Sequence, residues 1–330
     1  VGLALVPASV ASAVVVGPRA LLVIAVGALS CMACEFAIET LFFGEGIRML
    51  RRQPRGGYAV KSKPSIFDGS AAITGIQLAM NLPAGMPLWQ VVVGSMFAIV
   101  IGKMIFGGLG QNPFNPALAG RAFMLASFPV TMTTFDKPFA WMQQTDAMTG
   151  ATVLGTLKEG LRQGQSLDQL QAGMPSWLDL FLGLRGGCLG ETSILALLAG
   201  GLFLLVARVI TWEIPFFFLG GVGLVTGIAW LADPQAFANP VFHLLTGGVV
   251  LGAFFMATDM VTSPMTFLGR MIYALGGGVL CALIRLFGSY PEGCSYAILI
   301  MNAVVPLIDR KLPPRRFGSR GFNPPKEVSA

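Results

Sequence analysis

The sequence predicts an all-α integral membrane protein of about ten transmembrane helices, and three observations carry the prediction. Of its 330 residues, 54% are hydrophobic and only 12% charged, about half the roughly 25% charge of a soluble domain. The apolar residues gather in stretches near the ~20 residues a helix needs to cross a bilayer. The basic residues lie where the positive-inside rule would put them if every stretch spans. Gly (42) and Pro (21) are plentiful, which packed spanning helices tolerate.

The first stretch, 1–17, starts at Val1 inside an apolar run. It reads as a shortened span rather than a signal peptide, and a cytoplasmic leader is expected ahead of it. Four further spans follow at 20–43, 70–84, 88–106 and 115–133, then a polar segment at 134–191. The remaining spans are 192–210, 214–232, 240–258, 268–287 and 294–308. The loop 44–68 holds six bases (Arg48, Arg51, Arg52, Arg55, Lys61, Lys63) against two acids, so it is expected to be cytoplasmic. Alternation then places Lys103, Arg208, Arg270 and the basic tail inside, with Arg19 as an isolated exception. Segment 134–191, with six acids against four bases, falls outside.

Five spans on each side of that segment give the halves opposite orientations, the arrangement of an inverted repeat. The expected organisation is a five-helix repeat at 1–133, an extracytoplasmic segment at 134–191, a second repeat at 192–309 and a basic cytoplasmic tail at 310–330. The formal charge of +6 comes from bases flanking apolar stretches. They read as topology signals and contacts to anionic lipid, not as a nucleic-acid surface.

Several polar interruptions enter or leave the spans: Gly110-Gln111-Asn112-Pro113-Phe114-Asn115-Pro116, Asp259-Met260-Val261-Thr262-Ser263-Pro264 and Pro291-Glu292-Gly293. Breaks of this kind free backbone groups, which a cavity, a ligand or neighbouring protein must satisfy. Loop turns account for some of them, and a ligand or ion role is open for 110–116. Glu35 and Glu39 sit four residues apart, on one face of the second span. An acid at mid-bilayer costs at least ~2.5–3.5 kcal/mol. Either these two reach water at the helix end, or they line a Na+ or H+ path, with Arg121 and Arg285 as candidate counter-ions. Cys31 and Cys34 form a CxxC inside an apolar run. They read as small buried residues or as thiolates sharing a metal or cluster with a partner subunit. The single histidine, His243, excludes a multi-histidine metal site within this chain, and no metal ligands are assigned.

The outside segment contains Asp146-Ala147-Met148-Thr149-Gly150-Ala151-Thr152. On its residues alone this is a polar turn followed by a helix cap. The run is also similar to the pattern Asp-x-x-(Ser/Thr)-Gly-Ala-Thr, the acceptor motif for covalent flavinylation. With Gly107 to Ala117, Pro291-Glu292-Gly293, Ile300-Met301-Asn302-Ala303 and Pro306-Leu307-Ile308-Asp309, it makes nearly the whole chain resemble the RnfD/NqrB family of membrane flavoprotein subunits. The shorter length favours the Rnf side over NqrB.

The resemblance implies a urea-transporter-like fold of two inverted five-helix repeats in the bacterial inner membrane. It implies FMN joined through its phosphate to Thr152 by a flavin transferase, with Asp146 helping to position the acceptor. Thr149, Gly150 and Ala151 would complete the site, the last two leaving the backbone thin beside an exposed hydroxyl. Riboflavin, held without a covalent bond, would lie near Gln111, Asn112, Asn115 and Arg121. The implied function is electron transfer between ferredoxin and NAD, coupled to Na+ or H+ movement, in a complex with other Rnf subunits, including an outward-facing flavin subunit. The chain has no Rossmann glycine pattern and no ferredoxin-type Cys array, so those substrates belong to partner subunits and no complete active site is expected here. The alternatives are an NqrB-type quinone reductase subunit, a urea-like channel without redox role, and a structural scaffold.

Overall fold

A computed structural model describes residues 1–43, 68–142, 149–288 and 292–314. The basic loop from Arg48 to Lys63, Asp146, Pro291 and the tail beyond 314 lie outside the described residues.

Helix occupies each apolar stretch. The first half runs α1 Gly2–Val15, α2 Arg19–Ile38, α3 Ser70–Met80, α4 Leu88–Val100 and α5 Pro116–Ser127, with a short α6 Pro129–Thr133 after it. A π-turn at Glu39–Phe43 extends α2, and a 3-10 turn at Met104–Phe106 follows α4. Three surface helices come next: α7 Val153–Arg162, α8 Leu167–Ala172 and α9 Trp177–Leu182. The second half holds α10 Ile194–Val206, α11 Glu213–Ala232, α12 Pro240–Leu245, α13 Val249–Leu251, α14 Phe267–Phe287 and α15 Cys294–Lys311.

Among the described residues, four helical stretches are long and apolar enough to cross a membrane: Arg19–Leu41, Leu88–Phe106, Glu213–Ala232 and Phe267–Phe287. Their outward faces remain apolar, with Leu29 64% and Ile228 61% exposed. A contiguous greasy surface of this kind marks contact with lipid or with other subunits.

Local chemistry sets the helix starts. Asn115 caps α5 by accepting from the N–H groups of Ala117 and Leu118, and Pro116 takes the first helical position. Asn239 and Pro240 start α12 in the same way. The packing of the halves is also parallel: α2 contacts α3 and α4, while α11 contacts α12 and α14. Across the molecule α1 packs on α10 and α5 on α15.

The loops gather in two groups. At one end Arg19 donates to the carbonyls of Gly85 and Met86 at 3.3 and 3.4 Å, which gives this isolated base its partners. At the same end Phe139 N–H donates to Val15 O, and Leu189 N–H to Leu82 O. Leu154, Leu157 and Leu180 of the polar segment pack there on Ala238 and Phe242. At the other end Arg270 donates to the Thr211 hydroxyl at 2.8 Å, and Met265 N–H donates to Asp309 at 3.4 Å. Asp309 thus ties down a loop at its helix end. Lys103, expected near the cytoplasmic end of the span 88–106, is 2% exposed, because a carboxylate on α2 meets it inside the bundle.

Candidate functional site

Thr152 stands at the start of α7. This helix buries Leu154, Leu157 and Gly160 and turns Glu159 and Arg162 to the exterior, the pattern of a surface helix. The segment leading to Thr152 is held by a two-residue ladder in which Phe135 pairs with Gly150 and Asp136 with Thr149. Thr152 is the N-cap: its Oγ1 accepts from Gly155 N–H at 3.1 Å. It is 6% exposed, so the expectation of an exposed hydroxyl is corrected. The capping role turns the side chain inward, where it lines a cavity of about 490 Å³ with Arg121, Phe135, Lys158, Arg162 and Glu292.

That volume lies within the ~300–1,000 Å³ range of small-molecule sites. Its apolar wall is Leu125, Met132 and Phe135, and its charged wall is Arg121, Lys158 and Arg162 against Glu159 and Glu292. The N-terminus of α7 opens at Thr152, where free N–H groups and the helix dipole favour an anion. Lys158 donates to Arg285 O at 3.0 Å. Burial, with Arg162 nearby, holds its ammonium below the usual lysine range, and an anion in the cavity would relieve that. Chemically, the arrangement suits a ligand with a phosphate at Thr152 and a planar body against Phe135.

Behind the cavity lies a buried polar cluster. Arg121 of α5 donates to Asn81 Oδ1 at 2.7 Å, pairs with Glu292 and approaches Cys188 Sγ at 3.9 Å. Arg185 donates to the backbone O of Glu191 at 3.2 Å. Cys188 Sγ and carboxylate oxygens of Glu191 and Glu292 lie within 4.8 Å of one another. Arg285 serves neither Glu35 nor the cavity. It donates to the carbonyls of His243 and Thr246 at 2.6 and 3.0 Å, satisfying backbone groups freed where α12 breaks at Gly247, φ +67°.

The four residues expected around a second flavin do not converge. Arg121 belongs to the Thr152 cavity, and Gln111 is exposed. Asn112 and Asn115 line a separate cavity of about 260 Å³ with Gln77, Lys103, Phe255 and Asp259. The separation follows from helix geometry: Asn115 starts α5, and Arg121 lies more than a turn further along.

Glu35 is fully buried and accepts from Lys103 Nζ at 2.7 and 2.9 Å. Its counter-ion is therefore Lys103, not Arg121 or Arg285. Glu39 is half-buried in the π-turn. Cys31 is buried beside Ala71 and Ile99 with Cys34 packed against that cluster, and both thiols are free. Ser70 is the other hydrogen-bond partner of Lys103 among the described residues. Glu35→Leu should therefore lower stability in detergent by about 3–5 kcal/mol, and Glu35→Leu/Lys103→Met should recover most of it. Melting curves of the three proteins check this; a double variant no better than the single one refutes it.

Glu191, Cys188, Arg185, Lys158 and Arg162 carry no local signal in the sequence. Glu292 is visible there only as an interruption, since its partner Arg121 is 171 residues away.

Comparison with known proteins places these features in context. The family model "NQR2, RnfD, RnfE family" matches residues 1–318. The chain is 45% identical to a subunit of the proton-translocating ferredoxin:NAD(+) oxidoreductase complex of Clostridium ljungdahlii, covering 96% of this chain and 90% of that one. It is also 45% identical to the Na(+)-translocating counterpart of Acetobacterium woodii, covering 96% and 88%. A third relative, from the ion-translocating oxidoreductase complex of Escherichia fergusonii, is 40% identical over 77% of this chain and 78% of its own.

Proposed function

This chain belongs to the NQR2, RnfD, RnfE family, and from that premise we propose that it is the RnfD-type membrane subunit of an ion-translocating ferredoxin:NAD+ oxidoreductase and carries electrons through FMN bound to Thr152. The observation that carries the flavin reading is the cavity itself. The threonine of an acceptor-like motif caps a helix and faces a ligand-sized pocket with three basic side chains. FMN would supply the redox chemistry; the chain supplies binding and orientation.

A phosphodiester on Thr152 Oγ1 would meet the N-terminus of α7, with Lys158 and Arg162 on the same helix as its counter-charges. Phe135, Leu125 and Met132 offer the apolar wall for the ring, and Arg121 and Glu292 bound its far side. Covalent attachment prevents loss of a cofactor held on an outward-facing segment. By the same reading the loop group containing 134–191 is extracytoplasmic, the opposite group faces the cytoplasm, and ten spans form two inverted five-helix repeats. The paired contacts of α1 with α10 and α5 with α15 support that architecture. The smaller cavity beside Asn112 and Asn115 is assigned to the non-covalent riboflavin, without Arg121. Ferredoxin and NAD are handled by other subunits of the complex, and the flavin on Thr152 passes electrons between the outward-facing flavin subunit and centres in the membrane. A channel without redox role leaves the acceptor motif and its basic cavity unexplained.

The test is in-gel flavin fluorescence of the denatured chain, co-expressed with its flavin transferase. The wild-type band is expected to glow and Thr152→Ala to be dark. A dark wild-type band, with transferase active on a known acceptor, refutes the flavin assignment.

A further inference from the structure

The wall of the Thr152 cavity opposite the acceptor ends in two glutamates. Glu292 lines the cavity, and Glu191, 3% exposed, lies behind it. Carboxylate oxygens of the two lie within 4.8 Å of each other. Two buried carboxyl groups this close hold one proton between them, because the charge of one disfavours ionisation of the other. Oε1 of each has no hydrogen-bond partner among the described residues.

Burial, then the Glu292 charge, hold Glu191 protonated well above the usual carboxylate range. Burial is the largest influence on Glu292 and opposes its ionisation, but Arg121, Glu191 and Arg285 together outweigh it and keep that carboxyl below its usual range. The ion pair with Arg121 favours the charge on Glu292, which leaves the proton to Glu191. The other charged or titratable groups around the pair are Arg121 on α5, Arg185 and Cys188 on the loop before α10, and Arg285 on α14. Cys188 and the two carboxylates would also reach a metal ion by distance. Three guanidiniums disfavour a cation there, whereas they stabilise the pair when it is fully ionised.

We propose that Glu191 and Glu292 form a proton-carrying pair that delivers a proton into the Thr152 cavity when the group bound there is reduced and recovers it on reoxidation. This rests on the flavin reading above. The electrons come from the reductant of the complex. The O–H bond of Glu191 breaks, its electron pair stays on the carboxylate, and the proton passes by way of Glu292 to the ring that holds the added electrons. The new carboxylate is held by Arg121 and Arg185. Reoxidation reverses each transfer.

Reduced-minus-oxidised infrared difference spectra of the purified complex test the proposal, with in-gel fluorescence run on the same samples. A protonated-carboxyl C=O band is expected to disappear on reduction and to shift in D2O. It should be lost in Glu191→Gln and moved in Glu191→Asp. A fluorescent chain with no such band, or a band unchanged in Glu191→Asp, overturns the proton pair while leaving the flavin reading intact. A dark chain overturns both. If Glu191→Gln does not assemble, the wild-type and Glu191→Asp spectra decide.

Discussion

Arg121→Ala is expected to destabilise the folded chain by about 3–5 kcal/mol, the range for breaking a buried ion pair from one side. The guanidinium is 6% exposed and joins three parts of the chain: Asn81 after α3, α5 on which it sits, and Glu292 before α15. Its removal leaves the Glu292 carboxylate beside Glu191 with its direct ion-pair partner gone. Arg121→Lys should be intermediate, since a compact ammonium cannot serve Asn81 and Glu292 together as a planar fork does. In a double-mutant cycle with Glu292→Gln, the two changes should couple strongly rather than add. The measurement is thermal melting of the detergent-solubilised protein; a coupling energy near zero would show that the pair does not hold these segments together.

Gly278→Leu is the second change with a large expected effect. α11 and α14 cross at Gly221 and Gly278. A Cβ on Gly221 would lie 2.8 Å from Leu275 O and 3.1 Å from Gly278 Cα. A Cβ on Gly278 would press into the carbonyl oxygen of Phe218. These contacts are backbone, which cannot rotate away, so a larger residue must push the helices apart. Overpacking against side chains already costs about 1–3 kcal/mol, and here the cost is at the upper end or beyond. Gly220→Leu serves as the control, because nothing lies within 4 Å of its added Cβ. Gly278→Leu should lose most of its monodisperse, membrane-extracted protein and Gly220→Leu none. Equal yields and melting points for the two would refute the close crossing.

Much of the fold was legible in the sequence because its signals are local. Apolar runs long enough for lipid appear as helix, and the spans expected from 115 and 240 begin where Asn115-Pro116 and Asn239-Pro240 cap helices. The acceptor-like run ending at Thr152 is likewise a contiguous pattern, legible without any contact. The two relatives named for different ions are equally similar to this chain, so overall identity does not encode which ion the complex moves.

By itself, the sequence determined that this protein is helical and apolar enough for a membrane, where its helices run, and which threonine ends the acceptor-like run. Only the tertiary structure decided what those parts face. It turned Thr152 from solvent into a cavity, gave Glu35 the counter-ion Lys103 from a helix 68 residues away, and sent Arg285 to backbone carbonyls. It also brought Arg121, Glu191 and Glu292 together from three distant segments. The physical reason is that composition and helical propensity act over a few neighbouring residues. A buried charge instead takes its partner from whichever helix packing brings within a few ångströms, and no pattern along the chain records that choice.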